Sequence, residues 1–189
     1  MSRFVEQAIA RAGLAPVLRA RRAGEIEAVR ATMDDWRHAD LLALGAIADA
    51  VRSEEIGEVV SIHKPGEGQG VLWIEIPSEK ATELDVLRAV AVARIAGPRA
   101  GRVGIDWGRH GLELAQVALG FGASELRGAI TRKSGLPILD DESKKVKGQG
   151  NVSLASIKKA EIAALVKYAG RIPSFADEGS APAMESAHA

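Results

Sequence analysis

Between Val71 and Thr131 the chain alternates short β-rich runs with longer helical ones, and this alternation limits the fold more than any other feature. Val71-Leu72-Trp73-Ile74-Glu75-Ile76 is bounded by Gly70 and Pro77, as a strand is. Apolar residues Leu84, Leu87, Val90, Val92 and Ile95 then mark a helix from about Ala81 to Ala96, stopped by Gly97-Pro98. Arg102 to Trp107 reads as the next strand, Gly111 to Phe121 as a helix closed by Gly122, and Leu126 to Thr131 as a strand again. Strand, helix, strand, helix, strand in this order implies parallel strands joined by right-handed crossovers.

Helices precede this unit. Phe4, Val5, Ala8, Ile9 and Ala12 share one face before Gly13, and a basic stretch, Arg19 to Arg22, follows. A short helix runs through Ile26, Val29 and Met33. The segment from Asp40 to Glu55 is the clearest helix, with Asp40 as its cap and Leu41, Leu44, Ile47, Ala48 and Val51 as its apolar stripe. Val59 to Ile62 reads as a strand, and His63 to Gly70 as a loop. Ser134 to Ser156 is polar and predicts a long loop, and Ile157 to Ala169 a last helix ended by Gly170.

The expected fold is therefore α/β: a partial, (β/α) barrel-like parallel sheet of about four strands with N-terminal helices. Residues 1–173 form one domain with a helical segment over 1–56, and 174–189 are predicted to be a disordered tail. Four strands cannot close an eight-stranded barrel, so a homodimer through the open sheet edge is expected.

With 25 basic and 25 acidic side chains the net charge is zero, and aromatics are 4% of residues. Neither a nucleic acid nor an anionic membrane is favoured as a partner. Apolar stretches fall well short of the roughly 20 residues that span a membrane, and no signal peptide opens the chain, so the cytoplasm is expected. There is no cysteine. Disulfides, thiolate zinc and clusters held by the chain's own thiolates are excluded. The four histidines, His38, His63, His110 and His188, show no i, i+3 or i, i+4 pairing suited to a metal.

Two segments are candidate ligand sites. Asp106-Trp107-Gly108-Arg109-His110-Gly111 lies at the carboxyl end of a predicted strand and opens a helix, where α/β folds bind ligands. Asp106, Gly108, Arg109 and His110 would receive an anion at the helix end, and Arg109→Ala should weaken it about tenfold. His63 and Lys64 open the glycine-rich loop, whose N–H groups and lysine charge also suit an anion. Asp34, Asp35 and His38 diverge around a helix and suit capping, while Lys144, Lys145 and Lys147 belong to an acid-then-base run.

Several segments resemble, in order, the radical S-adenosylmethionine enzymes of the futalosine route to menaquinone, the aminofutalosine synthase and dehypoxanthine futalosine cyclase group. Residues 40–52 (DLLALGAIADAVR) are similar to the helix before that family's first barrel strand, and Val59 to Ile62 would be the strand. Residues 84–95 (LDVLRAVAVARI) resemble a late barrel helix. Ile105-Asp106-Trp107 with 114–123 (LAQVALGFGA) resembles the penultimate strand and helix. Glu161 to Pro173 resembles the C-terminal helix with its AGR-x-P ending. The matches span about half the chain. The family's CxxxCxxC loop follows its first strand, and His63 to Gly70 stands there instead. The resemblance thus implies shared ancestry without radical chemistry: no cofactor, no iron–sulfur cluster, and no S-adenosylmethionine held as in the family. The function it implies is a non-catalytic barrel fragment that binds a small anionic or nucleoside ligand, or a protein partner, linked to menaquinone synthesis. The alternative is an enzyme of non-radical chemistry using Asp106, Arg109 and His110.

Overall fold

A computed structural model describes residues 3–76, 81–131, 143–146, 150–153 and 157–176. The N-terminal helices are α1 (Arg3–Arg11), α2 (Ala15–Arg22), α3 (Ile26–Ala31), α4 (Met33–Trp36) and α5 (Leu41–Glu55). The basic stretch Arg19 to Arg22 lies inside α2 rather than between helices, because Pro16 fits the first turn, where no N–H partner is needed. Asp40 caps α5 by accepting from the Ala43 N–H at 2.9 Å. In α5, Leu44, Ile47, Ala48 and Val51 are fully buried.

The strands and remaining helices follow as β1 (Val59–His63), β2 (Leu72–Trp73), α6 (Glu83–Ala96), β3 (Val103–Asp106), α7 (Trp107–His110), α8 (Leu112–Leu119) and β4 (Glu125–Arg127). After them come β5 (Ile130–Thr131), β6 (Ser143–Val146), β7 (Gly150–Ser153), β8 (Ile157–Lys158), α9 (Lys159–Tyr168) and β9 (Ile172–Phe175). Five strands form a parallel sheet in the order β2-β3-β4-β1-β9, and β5 pairs with β8 in a separate two-stranded sheet.

The sheet has five strands where about four are expected, and the fifth, β9, runs through Ser174 and Phe175 into the first two residues of the expected tail. Ile172 and Ala176 donate their N–H groups to Glu58 and Ile62 on the β1 side, so the intervening Pro173 nitrogen faces away from that partner. An edge strand tolerates proline in that position, which is why Ser174 and Phe175 can be strand although their composition reads as tail. Residues 177–189 lie outside the described residues. The predicted loop 134–156 contains an antiparallel pair, Ser143 opposite Ser153 through Val146 opposite Gly150. Its polar residues carry no apolar alternation, the signal that would have revealed the strands.

Two further boundaries differ. The strand expected over 71–76 is only Leu72–Trp73, an edge strand bonded on one side to β3. The helix expected from Gly111 is preceded by a separate single turn, α7, and Gly111 at φ +83° divides the two. A left-handed residue interrupts helical hydrogen bonding there.

Alternation along the strands separates two faces. Val60, Ile62, Val103, Ile105 and Leu126 are buried beneath the helices. Ala115, Ala118 and Leu119 of α8, Val90 and Ile95 of α6, and Ile162 and Val166 of α9 complete this core. Gly45 of α5 lies so near Phe121 that a Cβ would sit 2.7 Å from the ring. Among the described residues three arginines are buried at the ends of the elements. Arg21 joins α2 to Glu55, and Arg52 bonds Asp49, Glu58 and the Gly57 carbonyl. Arg94 bonds the Gly122 and Gly101 carbonyls and Ser124 Oγ. Burial pushes the Arg94 guanidinium down to about 10, which leaves it cationic at neutral pH. Among the described residues no helix is long and apolar enough to cross a membrane.

Candidate functional site on the polar face of the sheet

The opposite face of the sheet is polar because its strands place hydrophilic residues two apart. Ser61 and His63 in β1, Glu125 and Arg127 in β4, and Asp106 in β3 share it, with Trp73 of β2 beside Gly104. Parallel register sets His63 opposite Arg127 and Asp106 opposite Arg127 on its other side.

Two networks cross this face. In the first, His63 Nε2 lies 2.7 Å from Glu125 Oε2, and both side chains are about 5% exposed. Arg102, from the turn before β3, donates to both oxygens of Glu125 at 2.9 Å. Those bonds raise the Arg102 pKa above its ordinary value. In the second, Arg127 Nε bonds Asp106 Oδ2 at 2.9 Å, and its Nη2 faces Glu75 at 3.6 Å. Glu75 in turn pairs with Arg109 at 3.4 Å. Trp73 joins the networks: the Arg127 guanidinium stacks over its ring at 4.3 Å, and His63 meets it edge-on at 5.7 Å.

The residues expected from sequence to form a ligand site are distributed over this arrangement. His63 and Asp106 lie on the polar face. Lys64 begins the connection from β1 to β2, its N–H donating to Glu67. Gly108 donates its N–H to the Asp106 carboxylate at 2.9 Å. The chain's own carboxylate thus takes the place proposed for an external anion at α7. Arg109 and His110 instead line a cleft of about 150 Å³ with Ile76, Thr82, Val86 and Leu114. His110 Nε2 faces the Ile74 carbonyl at 3.2 Å. Asp106 and Arg109 belong to one chain of ion pairs through Arg127 and Glu75, while His110 faces the Ile74 carbonyl. Asp34 pairs with Arg37 at 3.1 Å. Lys144 and Lys145 fall on β6, and Lys147 lies outside the described residues.

Sequence reading missed Glu125, Arg102, Arg127, Trp73 and Glu75. Glu125-Leu126-Arg127, polar on both sides of one apolar residue, was a legible signal for the first and third. Arg102 and Glu75 lie beyond strand ends, and only the fold brings them in.

The connection after β1, where the resembled family keeps its three thiolates, offers His63, Lys64, Glu67 and Gln69 and no sulfur. These donors do not fit an iron–sulfur cluster. No group of three or more metal-ligating side chains gathers among the described residues. Comparison with protein-family models and with curated proteins gives no match.

Proposed function

We infer that the chain is a non-catalytic, ligand-binding relative of the futalosine-route radical enzymes, and that a small anionic or nucleoside ligand binds along the polar sheet face, to which Glu75 ties Arg109 by pairing with both Arg127 and Arg109. The observation that carries this reading is the parallel pairing of β4 with β1. A late strand pairs with the first strand when a barrel closes, and in the order β2-β3-β4-β1-β9 the last strand, β9, takes the side of β1 where a barrel's second strand would pair. The same pairing sets His63, Glu125 and Arg127 side by side on the face opposite the helices. In a barrel that face is the interior, and ligands sit toward its C-terminal end.

Calorimetric titration with adenosine, S-adenosylmethionine and inorganic phosphate tests the reading. Binding of at least one probe is expected, weakened about tenfold or more by Arg109→Ala. Arg99→Ala should leave it unchanged, because Arg99 lines a different cleft with Arg21, Arg22 and Glu54. Failure of all three probes to bind, or equal affinity in Arg109→Ala and wild type, overturns it.

A further inference from the structure

His63 is held through one ring nitrogen only. Both carboxylate oxygens of Glu125 accept from Arg102, which has only donors to offer. Arg102 Nη2 also stands 3.3 Å from His63 Nε2, but it already donates to Glu125 Oε2 at 2.9 Å, and two acceptors cannot face each other at the 2.7 Å that separates Nε2 from that oxygen, so Nε2 carries the proton and in the neutral ring Nδ1 keeps its lone pair. Nδ1 is buried and has no hydrogen-bond partner, and the residue is 4% exposed. A buried acceptor without a donor is costly and rare.

What covers it is the 64–71 connection. Gly68 packs so close that a Cβ there would lie 3.5 Å from His63 Cγ and 2.6 Å from Trp73 Cζ2. Two long bonds fasten its middle, Trp73 Nε1 to the Gly68 carbonyl at 3.3 Å and Arg102 Nη1 to the Gln69 carbonyl at 3.4 Å. Both are near the limit of a useful hydrogen bond. Gly66, Gly68 and Gly70 all have positive φ and contribute no side chain to hold the segment down.

We propose that residues 64–71 form a strap over a ligand-facing acceptor: when the strap lifts, His63 Nδ1 receives a hydrogen bond from a neutral donor, a hydroxyl or amine of a nucleoside-class ligand. This rests on the sheet-face reading above and narrows its ligand. An anionic oxygen would meet a lone pair at Nδ1. The Arg102 charge is already matched by Glu125, and the Arg127 charge by Asp106. A carboxylate behind an imidazole fixes its tautomer and makes the far nitrogen a better acceptor.

The test is long-range ¹H–¹⁵N correlation spectroscopy of the wild-type protein, with adenosine and then inorganic phosphate as probes. In the free protein His63 should show a protonated Nε2 and a bare Nδ1. Adenosine should move the Nδ1 resonance and speed amide exchange over 66–70, and His63→Phe should lose about tenfold in affinity. A protonated Nδ1 in the free protein at pH 7.5, or adenosine binding that leaves Nδ1 unmoved, overturns the proposal. Phosphate binding without adenosine binding overturns it while the sheet-face reading stands. If neither probe binds, this proposal falls, and S-adenosylmethionine then decides the broader reading. The spectra use wild-type protein, so a misfolded variant cannot obscure the result.

Discussion

His63 and Glu125 are 62 residues apart in the chain, and their ring nitrogen and carboxylate oxygen are 2.7 Å apart in the fold. Neither is accessible enough to be held by solvent instead. Glu125→Gln removes the charge that Arg102 and His63 both address. Solvent can take up the charge of Arg102, which is 41% exposed, so the loss is that of weakened buried hydrogen bonds, about 1–2 kcal/mol of stability by urea unfolding. Adding Arg102→Met should recover part of this loss. A Glu125→Gln protein as stable as wild type would mean the network contributes nothing.

Gly104→Ala tests how Trp73 is seated. A Cβ at Gly104 would stand 2.4 Å from Trp73 Cζ3, so the indole must move off the sheet and carry the stacked Arg127 contact with it. Overpacking of this kind costs about 1–3 kcal/mol. The expected result is a lower melting temperature with a red-shifted tryptophan emission. Unchanged emission and melting would show that the ring does not lie over Gly104.

Acid sensitivity should arise partly at Glu58. The Ser53 hydroxyl, together with Arg52 and Arg171, holds its carboxyl below the ordinary value of 4.5. A carboxyl with a depressed folded pKa contributes stability above its unfolded pKa, and that contribution is lost as pH falls through the folded value. Between pH 6 and pH 3.5 the wild-type urea midpoint should therefore fall more steeply than that of Glu58→Gln. Parallel slopes would remove Glu58 from the account.

Self-association is expected through the sheet edges. The edge strands β2 and β9 leave Leu72 52% and Ile172 59% exposed. Light scattering at micromolar concentration should report a mass above one chain, reduced by Ile172→Lys. A clean monomer would rule out edge pairing.

The helical layer was legible because apolar spacing and capping chemistry agree locally. Asp40 before Leu41 and the Thr82–Asp85 capping box both sit where their helices begin. Strand β9 was hidden because Pro173 and Ser174 carry no strand preference, and only the free backbone of β1 recruits them. The site was legible in halves. Asp106 and His63 stood out as polar residues at strand ends, but their partners are set by register between β1 and β4. The alternation of each strand sets which residues share a face, but which strands meet is decided by burying Ile62, Ile105 and Leu126 together, and these lie far apart in the chain.

The parallel pairing of β1 with β4 and β9 also has a kinetic consequence. During synthesis β1 leaves the ribosome well before either of its neighbours exists. Helix α5 can form early, yet Val60 and Ile62 must wait for Leu126 and Phe175 to complete the surface around them. Folding dominated by such distant pairings is slow, on the order of milliseconds to seconds. A nascent chain stopped before Glu125 would expose an unpaired, apolar strand to any chaperone or neighbouring chain within reach.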